Sequence, residues 1–306
     1  MTTKIKLGIN ASFAVNRYPE PEEWLRIVGE ELGVRYAQFF ADLIEPVIFS
    51  PDSKERLIKK TREASQTYKV VIHSVFSGTI VHWYNFLLHP DEGVRQDSIR
   101  WYENYIDLTA RLGVKAVGSL MGALSFKDLN NSSRYKMLLD EAIKTWQYFA
   151  KVAREKGLDY IMFEPMSIPR EIPCTISQTK ELYERLNKGV SLPIKLCMDV
   201  GHGAVLSGGR DDRNPYAWLK NLAHLTPVVH IQQTDGQSSK HWPFTPEFNK
   251  RGIIEPKKVI EAINASGAKE VLLVLEIFQS FFEPWDNQVI DDLKASVDYW
   301  RKYIKE

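Results

Sequence analysis

Four side chains able to bind a divalent ion or carry a proton each close a short apolar run. They are Glu164 in DYIMFEPM, Asp199 in IKLCMDVGH, His230 in VVHIQQTD and Glu276 in EVLLVLEIF. An unpaired charge is costly to bury, so a carboxylate or imidazole ending a stretch of Ile, Leu, Val, Met and Phe demands a partner. Taken singly, each could pair with a loop Lys or Arg. Taken together, three carboxylates and one imidazole form a hard, oxygen-rich set with one nitrogen, and one shared ion explains all four. That donor set suits Mn²⁺, the first expectation, or Mg²⁺, and would tolerate Co²⁺ or Zn²⁺.

The elements that must position these groups follow from hydrophobic period. β-type runs occur near KIKLGIN, RYAQFFADL, KVVIHSVFS, VKAVGSLMG, DYIMFEPM, IKLCMDVGH, VVHIQQTD and EVLLVLEIF. Between and after them lie amphipathic stretches, from EEWLRIVGEELG to NQVIDDLKASVDYWRKYIKE, with apolar residues at i, i+3, i+4 spacing. Gly33, Gly113, Gly157 and Gly267 stand where helix C-terminal stops are needed. Repeated β-then-α units with near-continuous apolar strands imply a parallel sheet with helices outside, an α/β fold of the (β/α)8 TIM-barrel type, with residues 1–306 as one domain. An open doubly wound sheet fits less well, because neither GxGxxG nor GxxxxGK[ST] follows the first strand. In a barrel, strands 5 to 8 bring Glu164, Asp199, His230 and Glu276 to one mouth.

Other residues at that mouth are weaker candidates. His202, three residues after Asp199 in MDVGHG, is a further ligand or a hydrogen-bond donor to substrate; His73 in VVIHSVF is placed at the end of strand 3, facing the mouth or packed in its wall. His82, His89 and His224 are expected to be solvated, and His241 lies inside a long connection after strand 7. That connection, GQSSKHWPFTPEFNKRGI, and SGTIVHWYNFLLHP after strand 3 are aromatic-rich and too long for turns, so they read as lids or pocket walls.

Composition narrows the partners. Lys plus Arg is 40 against 39 Asp plus Glu, and a net charge of +1 offers no broad field for nucleic acid or an anionic membrane. The start MTTKIKLGIN lacks a signal-peptide core and no run approaches a membrane span, so a cytoplasmic protein is expected. Cys174 and Cys197 form no CxxC, which argues against a disulfide framework or a structural zinc site.

EP after strand 5, MDVGH on strand 6, the strand 7 histidine and LEI on strand 8 resemble the xylose isomerase-like superfamily of metal-dependent barrels, in particular the tagatose and psicose 3-epimerase type. The resemblance runs along essentially the whole chain in strand order. LGINASFAVNRYPEPEEW, FEPMSIPREIP and HIQQTDG look closest to the branch acting on tetrulose phosphates such as erythrulose phosphate. It implies that Glu164, Asp199, His230 and Glu276 hold the ion, and that Glu164 and Glu276 are also the acid/base pair of an epimerase or isomerase working through an enediolate. His202 would then donate to a substrate oxygen. The substrate is a small sugar or sugar phosphate, and a homo-oligomer is compatible with the aromatic connection around Trp83 and Tyr84.

One departure bears on the substrate's far end. The free-ketose 3-epimerases carry an arginine shortly after the strand 7 histidine, whereas here Lys240 and His241 are the first basic groups. Arg17, Arg170, Arg210 and Lys240, with backbone donors at Ser207, Gly208 and Gly209, are candidates to hold a phosphate. Rival functions are a free-ketose 3-epimerase, a polyol dehydratase with the same ion, a non-catalytic sugar-binding barrel and an endonuclease IV-like repair enzyme. The last requires further His and Asp ligands that strand 4 and the segment after strand 7 do not supply.

Overall fold

The computed structural model describes residues 2–203, 208–279 and 286–304. Its strands are β1 (Lys4–Asn10), β2 (Tyr36–Phe40), β3 (Val71–Phe76), β4 (Ala116–Ser119), β5 (Tyr160–Phe163), β6 (Ile194–Asp199), β7 (Val228–Ile231) and β8 (Glu270–Leu275). They pair in chain order, all parallel, and close on themselves where Lys4 to Ile9 run beside Glu270 to Leu275. The expected barrel is therefore present, with helices between successive strands.

Two apolar layers hold it together. The larger packs strands against helices and buries Trp24, Phe39, Phe149 and Trp300 almost completely. The smaller lies along the other strand face and contains Phe76, Met162, Cys197, Val228, Leu272 and Val274. Because strand side chains alternate, this second face continues from Met162 to Glu164, from Cys197 to Asp199, from Val228 to His230 and from Val274 to Glu276. Each charged group is the last member of an inward-facing row. The pleat itself delivers them to one place.

Helix ends are fixed by side chains in the way elementary capping predicts. Asp91, Asn131 and Thr175 accept backbone N–H bonds at the starts of helices Glu92–Arg111, Ser132–Glu155 and Ile176–Leu186. Gly267 ends helix Pro256–Ser266 at φ 79, a left-handed conformation that a side chain resists. The stretch expected as one helix after β1 differs: it is α-helical over Pro21–Arg26 and then widens into a π turn over Ile27–Glu31. There the backbone at Gly29 lies so close to Tyr68 that a Cβ would stand 2.6 Å from its carbonyl oxygen. The connection after β3 contains a short helix, Ile80–Trp83, and the one after β7 contains a bridge between Gln233 and Trp242 followed by helix Pro246–Arg251. The last two residues expected in the final helix, and Ser207, lie outside the described residues. Among the described residues no helix is long and apolar enough to cross a membrane.

Candidate active site

The four strand-end groups converge. Donor atoms of Glu164, Asp199, His230 and Glu276 all lie within 4.8 Å of one another, and all four residues are buried. His230 sits between the two glutamates, with Nδ1 3.0 Å from Glu164 Oε1 and 3.2 Å from Glu276 Oε2. Three carboxylates crowded into a buried space repel one another unless a cation stands among them. Burial opposes a charge on His230, but the Glu276 and Glu164 carboxylates outweigh it and hold the imidazole well above its ordinary value. The Cys197 thiol is pushed up to about 12, chiefly by burial, and stays neutral. This donor set fits a divalent ion, with the imidazolium supplying part of the positive charge in the ion-free protein.

Neutral amides brace the charged groups. Gln232 Nε2 lies 2.9 Å from both oxygens of Asp199, while its Oε1 accepts from the backbone N–H of Lys240 at 2.9 Å and from that of His241. Gly201 N–H also donates to Asp199. Behind His230, Gln38 Oε1 lies 2.7 Å from Nε2, and Asn10 Nδ2 donates to Gln38 Oε1 at 3.0 Å and to Glu276 Oε1 at 3.1 Å. Asn10, Gln38 and Gln232 were not singled out from sequence. They carry the same mark as the charged four, a polar side chain in an otherwise apolar strand or at its end.

His202 and His241 flank the cluster. His202 Nδ1 donates to the Pro165 carbonyl at 3.0 Å and lies 3.8 Å from Glu164 Oε1. Burial opposes its protonation, yet Asp199, Glu164 and Glu276 raise its basicity above the ordinary value. The same pair of imidazoles, after the opposing effect of burial, holds Asp199 below its usual range, His202 acting more strongly than His241. His241 Nδ1 donates to the Glu276 carbonyl at 3.0 Å from a backbone with φ 50, an uncommon conformation for a residue with a side chain.

A cavity of about 280 Å³ opens over this cluster, bounded by Phe40, Phe76, Trp83 and Phe278 as well as by Glu164, His202, His241 and Glu276. His82 also lines it, and is exposed as expected. Neighbouring protein desolvates His82 and lowers its basicity.

His73 is not at the mouth. Its ring lies toward the N-terminal end of the barrel near Lys6 and Glu270, and burial, with Lys6, lowers it to about 4. The reason is a register shift: Ala37 pairs with Ile72 but Gln38 pairs with Ser74, so Ser74 rather than His73 enters the layer below the site.

The basic residues proposed for a phosphate are not among the described residues that line this cavity. Arg17 Nε pairs with Asp286 and its Nη2 donates to the Gln279 carbonyl at 3.0 Å. Arg170 donates to the Leu124 carbonyl at 3.0 Å and stacks over Phe126. Lys240 Nζ is 3.9 Å from Asp235 and near the Trp242 ring, while Arg210 is exposed. Gly209 N–H is taken by Asp212 at 2.8 Å, and a Cβ on Gly208 would collide with the same residue.

A family model described as xylose isomerase-like TIM barrel matches residues 28–303. The chain is 32% identical over 301 residues to the D-erythrulose 1-phosphate 3-epimerase of Brucella abortus (strain 2308), covering 98% of this chain and 96% of that one. The crystal structure of a candidate xylose isomerase from Rhodospirillum rubrum superposes with a TM-score of 0.90 at 27% identity, over 97% of this chain and 99% of its own. A D-psicose 3-epimerase of Clostridium cellulolyticum, crystallised with D-tagatose, gives 0.71 at 14% identity over 98% and 100%, a likeness of fold. With the strand-end cluster in place on a closed barrel, the chain belongs to the xylose isomerase-like TIM-barrel family and is an isomerase of the epimerase type.

Proposed function

We propose that this protein inverts the carbon next to the carbonyl of a short ketose phosphate, of the size of erythrulose 1-phosphate, using Glu164 and Glu276 as the acid/base pair. The observation that carries the proposal is the approach of both carboxylates, from β5 and β8, to the same imidazole nitrogen at 3.0 and 3.2 Å. Glu164, Asp199, His230 and Glu276 would hold a divalent ion, which when bound supplies Lewis-acid stabilisation of negative charge on the ketose oxygens.

The rest of the work falls to the chain. One glutamate accepts the carbon-bound proton from one face of the substrate, and the other delivers a proton to the opposite face of the planar enediolate. The first carboxylate ends protonated and the second ionised, so a proton must exchange with water before the next turnover in the same direction. His202 is anchored through Nδ1 to the Pro165 carbonyl, which leaves Nε2 to donate to a substrate oxygen. The aromatic wall around Phe40, Phe76 and Phe278 restricts water near that intermediate. The likeness to the Brucella abortus enzyme supports the substrate class.

A free ketose is the second reading, and one observation favours it: among the described residues lining the cavity there is no Lys or Arg. The two separate cleanly. With Mn²⁺ present, erythrulose phosphate should exchange its carbon-bound hydrogen with deuterated water far faster than erythrulose does. Equal or reversed rates would reject the phosphate, and no exchange with either sugar would reject the reaction.

A further inference from the structure

The hydrogen bonds behind His230 have a polarity that can be followed outward from the backbone. The N–H of Ser12 can only donate, and it reaches Asn10 Oδ1 at 2.9 Å. Asn10 must therefore turn Nδ2 the other way, toward Glu276 Oε1 at 3.1 Å and Gln38 at 3.0 Å. A carboxylate oxygen accepts, in agreement with that orientation. The Gln38 atom facing an N–H of Asn10 has to be its oxygen, and Gln38 Nε2 is accordingly directed to Ser74 Oγ at 3.2 Å. The same oxygen stands 2.7 Å from His230 Nε2, so Nε2 must carry a proton. Its two lone pairs are then both used, one by Asn10 and one by His230.

We infer that Gln38, oriented by Asn10, is a positioning residue: it keeps a proton on Nε2 of His230, so that Nδ1, once its own proton leaves the Glu164 contact, is the nitrogen that offers a lone pair to a divalent ion. Nδ1 is the nitrogen that faces Glu164 and Glu276. The wrong tautomer would present a hydrogen there, and a ring free to turn would lose alignment with three carboxylates. Cys197 Sγ, 3.4 Å from Nε2, is a poor substitute because a neutral thiol accepts weakly. Asn10 and Gln38 together link His230 to Glu276 through two amides, so β1 and β2 set the geometry of groups at the ends of β7 and β8. All three members, Asn10, Gln38 and His230, are buried, which removes water as a competing partner.

The inference rests on the ion-binding part of the proposed function, and the test separates the two. Mn²⁺ alone is titrated calorimetrically into wild-type protein, Gln38→Leu, Gln38→Glu and Asn10→Ala, with thermal unfolding recorded for each. In Gln38→Leu the acceptor is gone, and the Mn²⁺ Kd should rise about ten- to a hundredfold. Gln38→Glu keeps an oxygen against Nε2, so its Kd should stay within about threefold of wild type even if the extra buried carboxylate lowers thermal stability. Asn10→Ala should fall between them, and it keeps the inference testable if Gln38→Leu does not fold. In the Zn²⁺-loaded protein, nitrogen NMR of the histidines should show a protonated Nε2 and an ion-bound Nδ1 on His230. Equal Kd values for wild type and Gln38→Leu, or Kd changes that merely follow thermal stability across the set, would overturn the role of Gln38 and leave the ion site standing. Failure of wild type to bind Mn²⁺ or Zn²⁺ would overturn both.

Discussion

The two halves of the barrel end in different chemistry. β5 to β8 finish in Glu164, Asp199, His230 and Glu276, whereas the inward rows of β1 to β3 carry Asn10, Gln38 and Ser74, with Phe40 and Phe76 above the last two, and these three hydrogen-bond but do not ionise in the working range. A second charged half would add repulsion to a site that already holds three carboxylates in low dielectric. A neutral half supplies direction instead. Amides have fixed donor and acceptor ends, so they orient neighbours without adding charge. The charged half binds and reacts; the neutral half decides which way its members point.

The largest effects should come from the charged half. Glu164→Gln and Glu276→Gln keep shape and remove the proton-accepting oxygen, so carbon–hydrogen exchange into deuterated water should fall by at least about a hundredfold in each. Single-turnover exchange at saturating Mn²⁺ checks this, because weakened ion binding is then compensated. Exchange at the wild-type rate in either variant would erase the functional difference between the halves.

Gln232 tests the bracing on the charged side itself. Its amide reaches both Asp199 oxygens at 2.9 Å and anchors the backbone at Lys240 and His241. Gln232→Leu should weaken Mn²⁺ binding about ten- to a hundredfold. Calorimetric titration reads it, and an unchanged Kd would mean that Asp199 needs no orienting partner.

Proton linkage gives a smaller, graded effect. In the ion-free protein His230 is held well above its ordinary value, after the opposing effect of burial, by Glu276 and Glu164. An ion on Nδ1 requires that nitrogen unprotonated, so below the raised value each ion bound displaces one proton from His230. Affinity should therefore fall about tenfold per pH unit as pH is lowered. Titrations in buffers of different ionisation enthalpy count the protons released. A count of zero at neutral pH would place His230 outside the ion site.

How much of this was legible in the sequence depends on the kind of residue. Glu164, Asp199, His230 and Glu276 stood out because a charge closing an apolar strand conflicts with burial, and the period-two pleat then forces convergence. Asn10 and Gln38 carried the same conflict in weaker form. A buried amide needs only one good partner, and here the partners lie far off in sequence, Gln38 and His230 being 192 positions apart. The surroundings of the phosphate candidates were hidden for another reason. Arg17 and Arg170 are long side chains whose guanidinium heads reach backbone carbonyls of neighbouring loops, and spacing says nothing about such reach. His73 was misplaced because alternation was counted along β3 without the register shift beside Ala37 and Gln38, which no residue type announces.

His73 offers the mildest test of the contrast, set against His230 as the same side chain in a different part of one barrel. Its folded value is lowered to about 4 from an ordinary 6.5, mainly by burial and then by Lys6, and its Nδ1 has no hydrogen-bond partner among the described residues. Between those two values the unfolded chain binds a proton that the folded chain refuses. Stability should thus rise with pH across that window, and the contribution is lost as pH falls from 6.5 toward 4. Because the ring is only partly buried, the loss should be on the order of 1–2 kcal/mol rather than the full value of the shift. His73→Leu should flatten the slope of unfolding free energy between about pH 6.5 and 4 and leave exchange at pH 7 unchanged. A slope equal to wild type would mean that the folded chain protonates His73 as readily as the unfolded one. A large loss of exchange would return His73 to the mouth, and with it the idea that both ends of β3 serve the reaction.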